Sequence, residues 1–90
     1  MLLVSYDISD DKLRTHFSKF LGKYGYRMQY SLFRIRNSDR VLENIQVKIE
    51  SYFGKRFQQT DSVIIFELSQ TCKITKFGYA KNEDKDLIIL

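Results

Sequence analysis

Residues 2–7 read Leu-Leu-Val-Ser-Tyr-Asp, apolar on both alternating phases until Ser5 and Asp7. This predicts a buried strand over residues 2–7 that ends on an acid. Ser9, Asp10 and Asp11 follow; they are N-cap types and place negative charge where a helix dipole favours it. Leu13, Phe17, Phe20, Leu21 and Tyr24 then recur at helical spacing, with Gly25 as the predicted stop. Residues 26–36 read as extended, but the alternation changes frame. Tyr26, Met28, Tyr30 and Leu32 share one phase, and Phe33 and Ile35 share the other. A slip near residues 31–32 requires a bulge, a sharp bend or two short strands. Asn37 and Ser38 offer a cap for a second helical stripe of Val41, Leu42, Ile45, Ile49, Tyr52 and Phe53, ended by Gly54. After a polar loop over 55–61, residues 63–68 are apolar on both faces apart from Glu67, which predicts a central strand. A weaker strand over 74–79 and a last apolar segment over 86–90 complete the pattern.

This order of elements predicts an α+β sandwich, the ferredoxin-like β-α-β-β-α-β arrangement with an extra C-terminal strand. Residues 1–80 form the domain; 81–90 form a charged linker and a strand added to a partner sheet. Two helices cover one face of a sheet. The other face, apolar in the first and later strands, needs a partner, and each side chain buried there contributes about 1.5–3 kcal/mol. The simplest partner is a second copy, giving a face-to-face homodimer.

Composition narrows the chemistry. Ninety residues with 43% hydrophobic and 14% aromatic content make one small folded domain. A net charge of +4 suits a polyanion partner such as nucleic acid. One cysteine, Cys72, forms no internal disulfide and no cysteine-based zinc site, and is expected to be a small buried residue. One histidine, His16, excludes a multi-histidine metal cage. No apolar run spans a bilayer and no secretory signal is evident, so no membrane partner is expected and a reducing cytoplasm is the expected compartment. No glycine spacing matches a phosphate-binding P-loop.

Two features carry candidate chemistry. Asp7 lies at the end of a predicted strand beside a helix start. It either ends the strand and assists the cap, or holds a hard cation such as Mg2+ or Mn2+. In a symmetric dimer it arrives twice near the axis, and a metal held there would polarise a phosphate and activate water. The second feature is a set of basic residues between aromatics: Arg14, Arg27, Arg34, Arg36, Arg40, Lys55 and Arg56. Arginine forks suit phosphate oxygens. Lys12 and His16 stand beside Arg14 as nucleic-acid contacts or as surface residues. Ser31 either bonds the backbone at the bend or touches phosphate; Phe33 reads as core or interface.

The opening strand with Tyr6-Asp7-Ile8-Ser9-Asp10-Asp11, then Leu13-Arg14, then Gly25-Tyr26-Arg27-Met28-Gln29-Tyr30-Ser31-Leu32-Phe33, resembles the CRISPR-associated protein two family over essentially the whole chain. The resemblance implies a homodimer with its Asp7 carboxylates near the two-fold axis and divalent-metal-dependent cleavage of RNA or double-stranded DNA, with double-stranded DNA and single-stranded RNA as partners. It also implies a scaffolding role in spacer acquisition, in which the dimer binds double-stranded DNA and bridges the CRISPR integrase. It links Tyr6, Asp7, Arg14, Arg27, Ser31 and Phe33 to activity. His16 stands where the family often carries arginine. A toxin-like endoribonuclease of the related small ferredoxin-like family, acting outside CRISPR immunity, is the alternative reading.

Overall fold

Leu2–Asp7 forms strand β1, with Leu2, Val4 and Tyr6 buried on one face and Leu3, Ser5 and Asp7 turned to the other. The computed structural model describes residues 1–78 and 88–89. Helix α1 spans Asp11–Leu21 and starts on Asp10, whose side chain accepts the Leu13 N–H at 2.8 Å. Its stop is Gly22; Gly25, the predicted stop, instead opens strand β2, Gly25–Gln29. Strand β3 is Leu32–Ile35. Helix α2, Asp39–Lys48, is capped by Ser38 and passes into a π-helical turn, Ile49–Phe53, and then a 3-10 turn, Gly54–Arg56. Gly54 therefore marks a change of helical winding at the end of the predicted stripe. Its N–H reaches the Ile49 carbonyl, and a Cβ there would stand 2.8 Å from that oxygen. Strand β4 is Ser62–Glu67, and short strands β5 (Thr75–Lys76) and β6 (Ile88–Ile89) pair in parallel.

The main sheet has the order β2-β3-β1-β4, with every neighbouring pair antiparallel. This is the interleaved double β-α-β of the ferredoxin-like class, as the sequence predicts. Leu13, Phe17, Phe20 and Leu21 of α1, Val41 and Ile45 of α2, and Phe53 pack on Leu2, Val4, Tyr6, Phe33 and Ile35. The helices thus cover one sheet face. Phe17 and Phe53 meet edge to face at 4.9 Å in the centre.

The frame slip is both a bulge and a pair of short strands. Arg27 pairs with Phe33 and Gln29 with Leu32, which leaves Met28 as the extra residue. Tyr30 and Ser31 make the turn.

Three expectations are corrected. Residues 63–68 do not form a central strand: β4 lies at the sheet edge, with β1 as its neighbour among the described residues. Its Val63 and Ile65 turn to the core while Ile64 and Phe66 stay 53% and 42% exposed on the open face. Cys72 is exposed, because it follows β4 in a surface loop away from the core. The 74–79 strand is limited to Thr75–Lys76 within the described residues. The linker over 81–85 and most of 86–90 lie outside those residues.

Candidate nucleic-acid interface

Tyr6 and Asp7 are chain neighbours on opposite faces, because a strand alternates its side chains. The helix-covered face carries a cleft of about 130 Å³ at the β2 margin, lined by Tyr6, Arg14, Thr15, Ser18, Arg27 and Tyr30. Arg14 and Arg27, thirteen positions apart in sequence, converge here. Arg14 comes from the first turns of α1, where its guanidinium donates to the Ile8 carbonyl at 3.0 Å and pairs with Asp11. The Asp11 hydrogen bond raises the Arg14 pKa further and keeps the charge fixed.

Arg27 sits opposite Phe33 on an edge strand. Its guanidinium carbon lies 5.4 Å from the Phe33 ring centre, and the residue is exposed. Phe33 is itself 3% exposed and packs against Tyr6. Its contribution is therefore to seat Arg27 and Tyr6; a ring this buried does not touch a substrate. The Tyr6 ring meets Phe17 edge to face at 5.1 Å. Burial raises the Tyr6 pKa, and the charges of Arg27 and Arg14 oppose that rise. The phenol stays protonated and donates to the Tyr30 carbonyl at 3.4 Å. Ser31 lies at the hairpin turn, where its carbonyl accepts the Tyr6 N–H at 3.1 Å. Its role in the fold is thus a backbone one.

Lys12 and His16 do not join this cleft. They lie on the far flank of α1, beside Tyr52 and Arg56. His16 meets Tyr52 edge to face at 5.3 Å, and Arg56 stacks on Tyr52 at 3.7 Å. The first turns of α1 therefore separate two basic surfaces. Sequence reading missed Tyr30, Tyr52 and Lys48, whose ammonium lies 4.7 Å from the Tyr52 ring centre. An aromatic in a stripe or a turn carries no periodic sign that it meets a cation.

Asp7 is exposed on the open face, paired in register with Ser62. Among the described residues no three His, Cys, Asp or Glu side chains gather as a cation cage. The described residues of one protomer do not by themselves gather such a cage. The same open face carries Leu3, Phe66, Ser5 and Ile64 as register partners.

The family profile for CRISPR associated protein Cas2 matches residues 1–75. A protein named CRISPR-associated endoribonuclease Cas2 2, from Methanospirillum hungatei, is 29% identical, with 98% of this chain and 97% of that protein covered. One named CRISPR-associated endoribonuclease Cas2, from Nanoarchaeum equitans, is 34% identical, with 97% and 89% covered. A crystal structure of a hypothetical protein from Thermus thermophilus superposes with a TM-score of 0.68 at 25% identity, covering 90% of this chain and 93% of that one. Streptococcus pyogenes Cas2 shares the fold, with a TM-score of 0.64 at 23% identity over 78% of this chain and 87% of that one. No helix among the described residues is long and apolar enough to cross a membrane. The order of the strands, the acid at the end of β1, the arginine cleft behind it and the profile match over residues 1–75 lead to one assignment: this chain belongs to the CRISPR associated protein Cas2 family.

Proposed function

We propose that the chain acts as a homodimer in CRISPR spacer acquisition, binding double-stranded DNA and bridging the CRISPR integrase. In this reading the two Asp7 carboxylates of the dimer together hold Mg2+ or Mn2+ for cleavage of RNA or DNA phosphodiesters. The observation that carries it is the open sheet face, where Asp7 stands on the same side as the uncovered Ile64 and Phe66. A second copy that buries those side chains brings a second Asp7 with it. Two carboxylates with water and phosphate oxygens suit a hard cation that one carboxylate does not hold alone. A bound metal would polarise a phosphate and lower the pKa of a bound water. Arg14 and Arg27 supply fixed positive charge for the backbone of the nucleic acid. The names of the relatives, endoribonucleases all, support RNA as one substrate. The family profile favours the CRISPR role over a toxin-like one.

Asp7→Asn tests the metal assignment. The variant is expected to lose Mg2+- or Mn2+-dependent cleavage of RNA and of duplex DNA while sedimenting like the parent. Cleavage at the parental rate would remove Asp7 from metal binding. Spacer acquisition with the same variant separates bridging from cutting, and normal acquisition assigns the cellular role to binding.

A further inference from the structure

The β2–β3 turn leaves an aromatic ring in solvent on a fixed backbone. Tyr30 is 70% exposed. Its carbonyl accepts the Tyr6 hydroxyl at 3.4 Å, and the next carbonyl, that of Ser31, accepts the Tyr6 N–H at 3.1 Å. The Arg14 guanidinium carbon lies 5.9 Å from the ring centre. Beside the ring opens the cleft that Arg14 and Arg27 share, with Thr15 and Ser18 adding hydroxyls to its wall. An exposed aromatic, a cation against it and a small cationic recess next to it form a composite surface. The recess suits a phosphate group, and the ring offers a flat apolar face.

We propose that Tyr30 is a stacking platform for one unpaired nucleobase, with the adjoining backbone phosphate held by Arg14 and Arg27. The inference rests on the nucleic-acid reading above and adds to it the residue that meets a base. Bases within a duplex stack on one another and present no free face; bases of a single strand do. The ring therefore meets an unpaired strand, such as the single-stranded RNA that the family resemblance implies, and not a duplex. Stacking accepts every base, so the site discriminates strandedness and not sequence.

Anisotropy of a labelled single-stranded oligoribonucleotide and of a DNA duplex of equal length, both in EDTA to prevent cleavage, tests this. Tyr30→Ala is expected to weaken single-strand binding roughly 5- to 100-fold, the worth of one base stack, and to change duplex binding less than about twofold. Tyr30→Phe keeps the parental affinity, since the ring and not the hydroxyl does the stacking. Arg27→Ala weakens both ligands and lowers the salt dependence of each. Quenching of a 2-aminopurine base in the single strand is expected with the parent and lost with Tyr30→Ala. The Tyr30 ring is solvent-facing, so an unchanged thermal melt confirms that the variant folds. Equal losses on both ligands, or no loss on the single strand, would overturn the stacking role. A loss with Arg27→Ala alone sinks stacking and spares the nucleic-acid reading; no loss with either variant sinks both.

Discussion

Asp61 accepts the Ser9 N–H at 3.0 Å, the Gln58 N–H at 2.8 Å and the Ser9 hydroxyl at 2.9 Å. The Ser9 oxygen also lies 3.1 Å from the Gln58 side-chain oxygen, and its single proton serves one acceptor at a time. Ser9 follows Asp7 by two positions, and Asp61 precedes Ser62, the register partner of Asp7. The carboxylate thus ties together the chain segments on either side of the acid. The Gln58 and Ser9 backbone donors hold its pKa below the usual carboxylate value. A depressed folded pKa contributes stability that is complete above the unfolded value, about 3.9, and is lost as pH falls through the lower folded value. The melting temperature of the parent is therefore expected to exceed that of Asp61→Asn near neutral pH, with the gap closing below about pH 4. A gap that stays constant from neutral to acid pH would refute the clasp. Asp61 was legible in the sequence only as the last residue of a polar loop. Gln58 shares its loop, but Ser9 lies 52 positions away in another, and no local spacing reveals a contact of that span.

The β2–β3 hairpin decides where the arginines meet. A Cβ on Gly25 would lie 1.9 Å from the Arg34 carbonyl oxygen across the strand pair. Only glycine allows this approach, which explains why Gly25 belongs to the strand and not to the end of α1. Gly25→Ala is expected to cost about 1–3 kcal/mol, read as a lower melting temperature, and to weaken nucleic-acid binding through Arg27 two residues on. An unchanged melt would show that the strands separate freely. The two phases of residues 26–36 were visible in the pattern, because Phe33 and Ile35 cannot share a face with Tyr30 and Leu32. The slip near residues 31–32 was visible as well, and a turn stands at Tyr30–Ser31 although it lacks the glycine or asparagine of common hairpins; the bulge at Met28 was not, because one extra residue in one strand leaves no mark of its own on the apolar spacing. The second helix shows the same limit. Its apolar stripe predicts continuous burial to Phe53, and the change to a π-helical turn leaves that spacing almost intact.

At the scale of the whole molecule, the fold sorts the candidate residues by face. Tyr6, Arg14 and Arg27 stand on the helix-covered side and Asp7 on the open side. Strand alternation already implies that Tyr6 and Asp7 diverge. The convergence of Arg14 with Arg27, and their separation from Lys12 and His16, depend on how α1 lies over the sheet, which local spacing does not fix. In the proposed reading, polyanion binding by the arginine cleft and metal binding by Asp7 are accordingly separable, and the metal site needs a second copy over the open face. Sedimentation equilibrium of the parent and of Ile64→Glu tests this most directly, since the substitution places a charge on that face without entering the core. The account predicts a parent of twice the 10.8 kDa chain mass and a folded Ile64→Glu protomer that sediments singly and has lost metal-dependent cleavage. A parent that stays a single 10.8 kDa chain at high concentration, or an Ile64→Glu monomer that still cleaves at the parental rate, would contradict it.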